Sequence, residues 1–468
     1  MSEGDKNLSE KEEYLSWYKK PMPYEGVPSP SSPELGGTKA EPWCDYAYKE
    51  WEILKKTGLP AWYWKFEPPE FPDEEKLALE RYMLKMKENV AKEKMTPFDR
   101  WWSTHYGIET DRIPLMSLNF GYLAEGATRC LDSWGACLKA VDLARYPKLH
   151  MMGAILPVAR FAADLMFINK ITYGEAEYGG LGYQKEASAL INKSGGAQEK
   201  GFYDPKTRIR TAPFLNFQMP DPESGAYAPQ LWQVRTMREW LRKSGLQGVQ
   251  PLVTNTCAGT INSASVALGP TIGFREFATI YKKRPEWIHE CMRESLKFTI
   301  AHSKTVRSAG PDDIFFCDSY NMISPTCLKD VGQYNVELCK QAHYPPGGWI
   351  LSAGDFHDHI DIAFQQHGKY ATRFGTDHMY PIEENVKKCL EYDKMCWLLA
   401  DWDIIRKGPY ERIAAYEKER FKIAMSDPKS KPYAHTGGSD YWIPMENVDW
   451  HFAIVKKYGT YPKGYEQP

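Results

Sequence analysis

From about residue 95 onward, short apolar runs alternate with longer amphipathic stretches. VQPLVTNT is followed by REFATIYKKRPEWIHECMRESLKFTIAHSKTVRSAG, DIFFCDS by CLKDVGQYNVELCKQA, and GWILSAGD by a further helical stretch; YATRFGTD, CWLLADWD and YAHTGG continue the series. Runs this short and this apolar suit strands buried on both faces, and a helix between successive runs requires a crossover, so the expected sheet is mainly parallel. Each run ends on a polar residue or a glycine before its helix: Asn255, Asp318, Asp355, Asp377, Asp401 and Gly437. Polar tips gathered on one face are the arrangement of a (β/α)₈ TIM barrel. A doubly wound open sheet is the competing architecture, but no G-x-G-x-x-G follows the first strand and no P-loop G-K-[ST] occurs.

Residues 1–95 read differently. A charged helical start leads into KPMPYEGVPSPSSPELGGTKAEP, too rich in Pro, Gly and Ser for regular structure. The segment EEKLALERYMLKMKENVAKEK then predicts an amphipathic helix with Leu77, Leu79, Tyr82, Met83 and Met86 on its apolar side. The chain therefore divides into an extension, residues 1–95, packed on a barrel of residues 96–468.

Composition narrows the function. Hydrophobic residues make up 43% and charged residues 26% of the 468 positions, enough for a substantial core. A net charge of −2 with scattered Lys and Arg leaves no basic surplus for phosphates, so nucleic acid is not an expected partner. Ten cysteines without a C-x-x-C pair read as reduced thiols, and Cys257 and Cys317 in particular as small buried side chains. With no signal-peptide core and no long apolar window, the expected location is cytoplasmic and no membrane contact is expected. Aromatic residues reach 14%; they fill helix–sheet contacts or line a pocket for a flat ligand.

Several segments carry a resemblance. MTPFDRWWSTHYGIETDRIPL has an acidic–Arg pair on a helix and D-R-x-P ahead of the first strand, and DLMFINKITYGEAEYGGLG has an Asp before E-A-E-x-x-x-L-G. GPTIGFREFATIYKKRPEWI, RSAGPDDIFFCDSYNMISP with its Asp-Ser tip and S-P, LLADWDIIRKGPYERI, and TGGSDYWIPMENVDWHFAIVKKYG follow in order. Over about residues 95–460 this series resembles the uroporphyrinogen decarboxylase superfamily, which includes corrinoid-dependent methyltransferases. The resemblance implies the barrel, a homodimer, a decarboxylase-type Asp at Asp164 and a Ser at Ser319.

Departures from the family pattern bear on chemistry. The Arg-rich first loop that holds substrate carboxylates in the decarboxylase is replaced by LMSLNFGYLAEG, which contains Asn119 and no Arg. The L-G-H-G segment is H-T-G-G here, with His435 displaced. Where thiol methyltransferases carry H-x-C-G for zinc, Leu351 and Ala353 stand, and TGGSD lacks the later Cys. The usual thiolate-activating zinc site is absent.

Candidate chemistry therefore rests on strand-end residues. Asp318, His357, His359 and Asp164 are the catalytic candidates, since imidazoles and carboxylates move protons near neutral pH. Ser319, Tyr320, Asn119, Asn255, Asp377, His378, Asp401 and His435 are candidate substrate contacts. His357, His359 and His378 are a candidate non-standard site for a divalent metal such as zinc. The plain alternative is that each Asp caps a helix. The expected function is a methyltransferase that moves a methyl group between a small methylated molecule and a corrinoid on a partner protein or another acceptor. A cofactor-independent decarboxylase or lyase, and a non-catalytic ligand-binding subunit, stand as alternatives.

Overall fold

The computed structural model of the chain describes residues 68–116, 161–168, 227–268, 274–351, 356–375, 380–435 and 445–467, with residues 151, 154–155 and 157–159. Helix α1 (Asp73–Ala91) is the amphipathic segment seen in the sequence. It buries Leu79, Tyr82, Met83 and Met86, whereas Leu77 is half exposed, so the apolar stripe is narrower than expected. Helix α2 (Pro97–His105) starts where the Thr96 hydroxyl accepts the Asp99 N–H at 3.0 Å, with Pro97 in its first turn.

The barrel alternates strands and helices. Strands β1 (Leu115–Met116) and β2 (Met166–Ile168) precede α3 (Tyr227–Lys243) and β3 (Leu252–Ala258). Helices α4 (Thr260–Leu268), α5 (Phe274–Lys283) and α6 (Pro285–Ser308) lead to β4 (Asp313–Cys317). Then come α7 (Pro325–Leu338), β5 (Gly348–Leu351), α8 (Ile360–His367), β6 (Ala371–Gly375), α9 (Ile382–Glu391) and β7 (Met395–Leu399). Helices α10 (Trp402–Lys407) and α11 (Tyr410–Ala424), strand β8 (Pro432–His435) and α12 (Met445–Tyr458) complete the order. The long helical stretch around residues 274–308 is two helices, because Pro285 lacks the N–H needed to continue α5.

Eight strands pair in the order β1-β8-β7-β6-β5-β4-β3-β2, and each ladder is parallel. This is a (β/α)₈ barrel whose only unladdered seam among the described residues lies between β1 and β2. Asp164 bridges that seam. Its N–H donates to the Leu115 carbonyl at 2.7 Å, and its carboxylate accepts the Leu115 N–H at 2.6 Å.

Strand alternation divides the core in two. Ile314, Phe316, Ile350, Phe374, Cys396, Leu398 and Ala434 pack outward against the helices. Phe167, Val253, Phe315, Cys317, Trp349, Met395, Trp397, Leu399 and Tyr433 fill the barrel interior. Trp101 of α2 closes the N-terminal end of the barrel, 5.4 Å from the Trp349 ring and 5.6 Å from Tyr433. The interior also holds a buried ion pair between Arg373 and Asp313, which receives the Trp101 indole N–H at 3.3 Å. Among the described residues no helix is long and apolar enough to cross a membrane.

Candidate active site

In a parallel barrel the chemistry sits beyond the C-terminal strand ends. Asp164 is at the other end. It lies two residues ahead of β2, fully buried, where Arg112 holds one carboxylate oxygen at 2.6 Å and the other at 3.0 Å. Arg100 also binds it, and Glu93 joins both arginines. Despite burial, Arg112 and Arg100 keep the Asp164 carboxyl below its ordinary range. Asp164, expected as a catalytic residue, is held here as the shared anion of Arg112 and Arg100. Arg100 of the F-D-R segment and Arg112 of D-R-I-P are its clamps, so those motifs maintain architecture.

Asp318, the other carboxylate expected as catalytic, has its own set of partners. Along β4, residues 313, 315 and 317 face the interior and residues 314 and 316 the helices; Asp318 falls on the helix side. Its carboxylate accepts the N–H groups of Asn262 at 2.8 Å, Ser319 at 2.9 Å and Ile261 at 3.2 Å, and the Asn335 amide. It thus caps α4, a helix from the neighbouring loop. A Cβ at residue 259 would collide with this carboxylate, so Gly259 permits the close approach. Burial pushes the Asp318 pKa up to about 6, against the pull of those four donors.

Tyr320, expected to contact substrate, is fully buried behind β4. Asn335 donates to its hydroxyl at 2.9 Å and accepts the Thr260 N–H at 2.9 Å and hydroxyl at 2.7 Å. The Tyr320 hydroxyl is 3.1 Å from His367 Nε2, and His367 Nδ1 lies 2.9 Å from the Ala363 carbonyl. Nδ1 must therefore carry the proton, leaving Nε2 to accept from Tyr320. Burial lowers the His367 pKa to about 3 and keeps it neutral. No sequence signal marked Asn335 or His367, because helix periodicity does not reveal which polar residue meets a strand end.

The histidine loop separates into two environments. His359 is buried at the start of α8, with Nε2 donating to the Ile323 carbonyl at 2.7 Å. His357 is half exposed, 3.8 Å from the Glu384 carboxylate, with its ring centre 4.8 Å from that of Tyr380. Among the described residues no group of three His, Cys, Asp or Glu is placed to hold a metal ion. Asp401 accepts the Asp403 N–H at 2.8 Å and the Ile404 N–H at 3.4 Å through one carboxylate oxygen, so it caps α10.

Asn255 is buried at the last regular pairing before a bulge, where β3 gains one residue over β4 between Asn255 and Ala258. Such bulges re-aim side chains at barrel rims. His435 ends β8, paired in register with Leu399 and Met116. Asn119, Asp377 and His378 lie outside the described residues. Ser319 follows β4 at the mouth, nine-tenths buried, and its hydroxyl makes no capping hydrogen bond.

No family model matches the chain, and no curated relative matches it. Its fold is similar to the solved structure of a methyltransferase from Methanosarcina mazei, with a TM-score of 0.52, 12% identity, and coverage of 78% of this chain and 99% of that one. At that identity the likeness establishes the class of fold, an eight-stranded parallel barrel.

Proposed function

We propose that this chain is a methyltransferase-type enzyme of the uroporphyrinogen decarboxylase superfamily, moving a methyl group between a small methylated molecule and a corrinoid carried by a partner protein. The observation that carries the reading is a barrel-wide likeness to a methyltransferase, spanning 99% of that chain. The ordered motifs of residues 95–460 support the same superfamily. The turning of Asp318 away from the mouth weighs against the lyase alternative, because it removes that alternative's leading acid–base group.

The test uses the full chain with cob(I)alamin as a stand-in acceptor and methanol, dimethyl sulfide, methylamines and guaiacol as donors. Formation of methylcob(III)alamin, followed by absorbance, is expected with at least one donor. No methylation from any donor, together with carbon dioxide release from a panel of carboxylates, overturns the reading in favour of a lyase.

A further inference from the structure

We infer that the Asp401 carboxylate binds a small methylated cation at the barrel mouth, which makes a protonated methylamine the class of methyl donor; this deepens, and rests on, the reading of the mouth as the active site. Strand β7 sends Met395, Trp397 and Leu399 into the barrel and Cys396, Leu398 and Ala400 toward the helices. Asp401 continues the inward series two residues past the end of β7. Its place is fixed from behind. Its N–H donates to the Tyr416 hydroxyl at 3.1 Å, and Arg420 donates to the Leu399 carbonyl at 2.8 Å. The two carboxylate oxygens have different surroundings. Oδ1 accepts both N–H groups that cap α10. Oδ2 takes no hydrogen bond from the described residues, and the side chain is only half-buried.

Charge separates Asp401 from the other acids of the barrel. Asp164 is shared by two arginines, Asp313 is paired with Arg373, and Asp403 with Arg406 and Lys407. Asp318 has no cation, but it is buried on the helix side among four donors. Arg420, which holds the strand end, is matched by Glu417 at 3.0 Å. Among the described residues no Lys or Arg lies within ion-pair distance of Asp401. Its charge is therefore open to a ligand. A cation that brings an N–H donor makes a charge-assisted bond to Oδ2, stronger than one from a neutral hydroxyl. Leu399, the next inward residue, is about 7 Å down the strand and offers an apolar contact for a methyl group. An anion finds only repulsion from Asp401. The chemistry of transfer favours the same form of donor: when the methyl group passes to a two-electron nucleophile such as cob(I)alamin, the C–N electron pair stays on nitrogen, and protonated methylamine departs as neutral ammonia.

Titration of the full chain with methylammonium, methanol and acetate at low ionic strength, followed by saturation transfer to the ligand methyl protons in NMR, tests the inference. Methylammonium is expected to bind at least about tenfold more tightly than methanol or acetate, the scale of one hydrogen bond to a charged group. Asp401→Asn keeps a capping oxygen for α10, so it is expected to abolish that preference with the melting temperature nearly unchanged. Asp403→Asn, two residues on and already ion-paired, is expected to leave the preference intact. Methanol or acetate binding as tightly as methylammonium, no methylammonium binding, a preference that survives Asp401→Asn, or an equal loss in Asp403→Asn overturns the inference. Methyl transfer from methanol or guaiacol without methylammonium binding would sink this inference alone. Methylammonium binding that depends on Asp401, without methyl transfer from any donor, would sink only the methyltransferase reading.

Discussion

Asp164 and Leu115 are joined by two hydrogen bonds, one from the Leu115 N–H to the Asp164 carboxylate at 2.6 Å and one from the Asp164 N–H to the Leu115 carbonyl at 2.7 Å. A side chain thus stands in for strand pairing between β1 and β2, and Arg100 and Arg112 hold it in place. Asp164→Ala leaves two buried guanidinium groups without their fully buried shared anion, with Glu93 still bridging them. The expected cost is about 3–5 kcal/mol, read from urea unfolding. Methyl transfer per folded molecule should be unchanged; an active-site role would instead show as lost turnover in a protein of full stability.

Asp318 should impose a pH dependence on stability. Its folded pKa, raised to about 6 by burial, exceeds the ordinary carboxylate value. The folded state therefore binds the proton more tightly than the unfolded state. That contribution is fully present below roughly pH 4 and is lost as pH rises through about 6, with an amplitude on the order of 3 kcal/mol. Asp318→Asn removes the titration, so the stability of the variant relative to the parent should rise between pH 4 and 7. A difference that does not change with pH refutes this assignment.

The Arg373–Asp313 pair lies inside the barrel with both side chains buried. Arg373→Met strands the carboxylate and should cost about 3–5 kcal/mol, whereas adding Asp313→Leu should recover much of that loss, since a well-packed apolar pair often replaces a buried ion pair without penalty. Melting temperatures of the single and double variants give the comparison. A double variant less stable than Arg373→Met would show that the pair is itself stabilising.

His357 and His359, two residues apart, should respond oppositely. His359→Ala loses the 2.7 Å bond to Ile323 and a buried ring at the start of α8, and should cost about 1–3 kcal/mol. His357→Ala, half exposed, should change stability by less than about 0.5 kcal/mol. If His357 moves a proton in the proposed reaction, its loss lowers transfer by on the order of a hundredfold. Unchanged transfer would remove it from the site.

Strand positions were legible along the chain because an apolar run bounded by polar residues has few other places to go. The expected runs 313–319 and 348–355 contain β4 and β5, the run 396–403 covers all of β7 but Met395, and α1 matches its amphipathic segment. Parallel pairing followed from the intervening helices, and the barrel from the repeated polar tips. The roles of those polar tips were decided elsewhere. Asp318 ends an apolar run just as a catalytic residue would, but it sits one residue out of phase with the interior alternation. Its partners, Asn262 and Asn335, are 56 and 17 residues away. Asp164 reads as a strand-associated acid, yet only the chain's return to β1 brings Arg100 and Arg112 to it, 64 and 52 residues distant. The sequence by itself determined which segments become strands and helices, since period and polarity are local properties. Only the tertiary structure decided which carboxylate caps, which braces and which surface is left for a ligand, because burial charges a desolvation cost that contacts distant in sequence must offset.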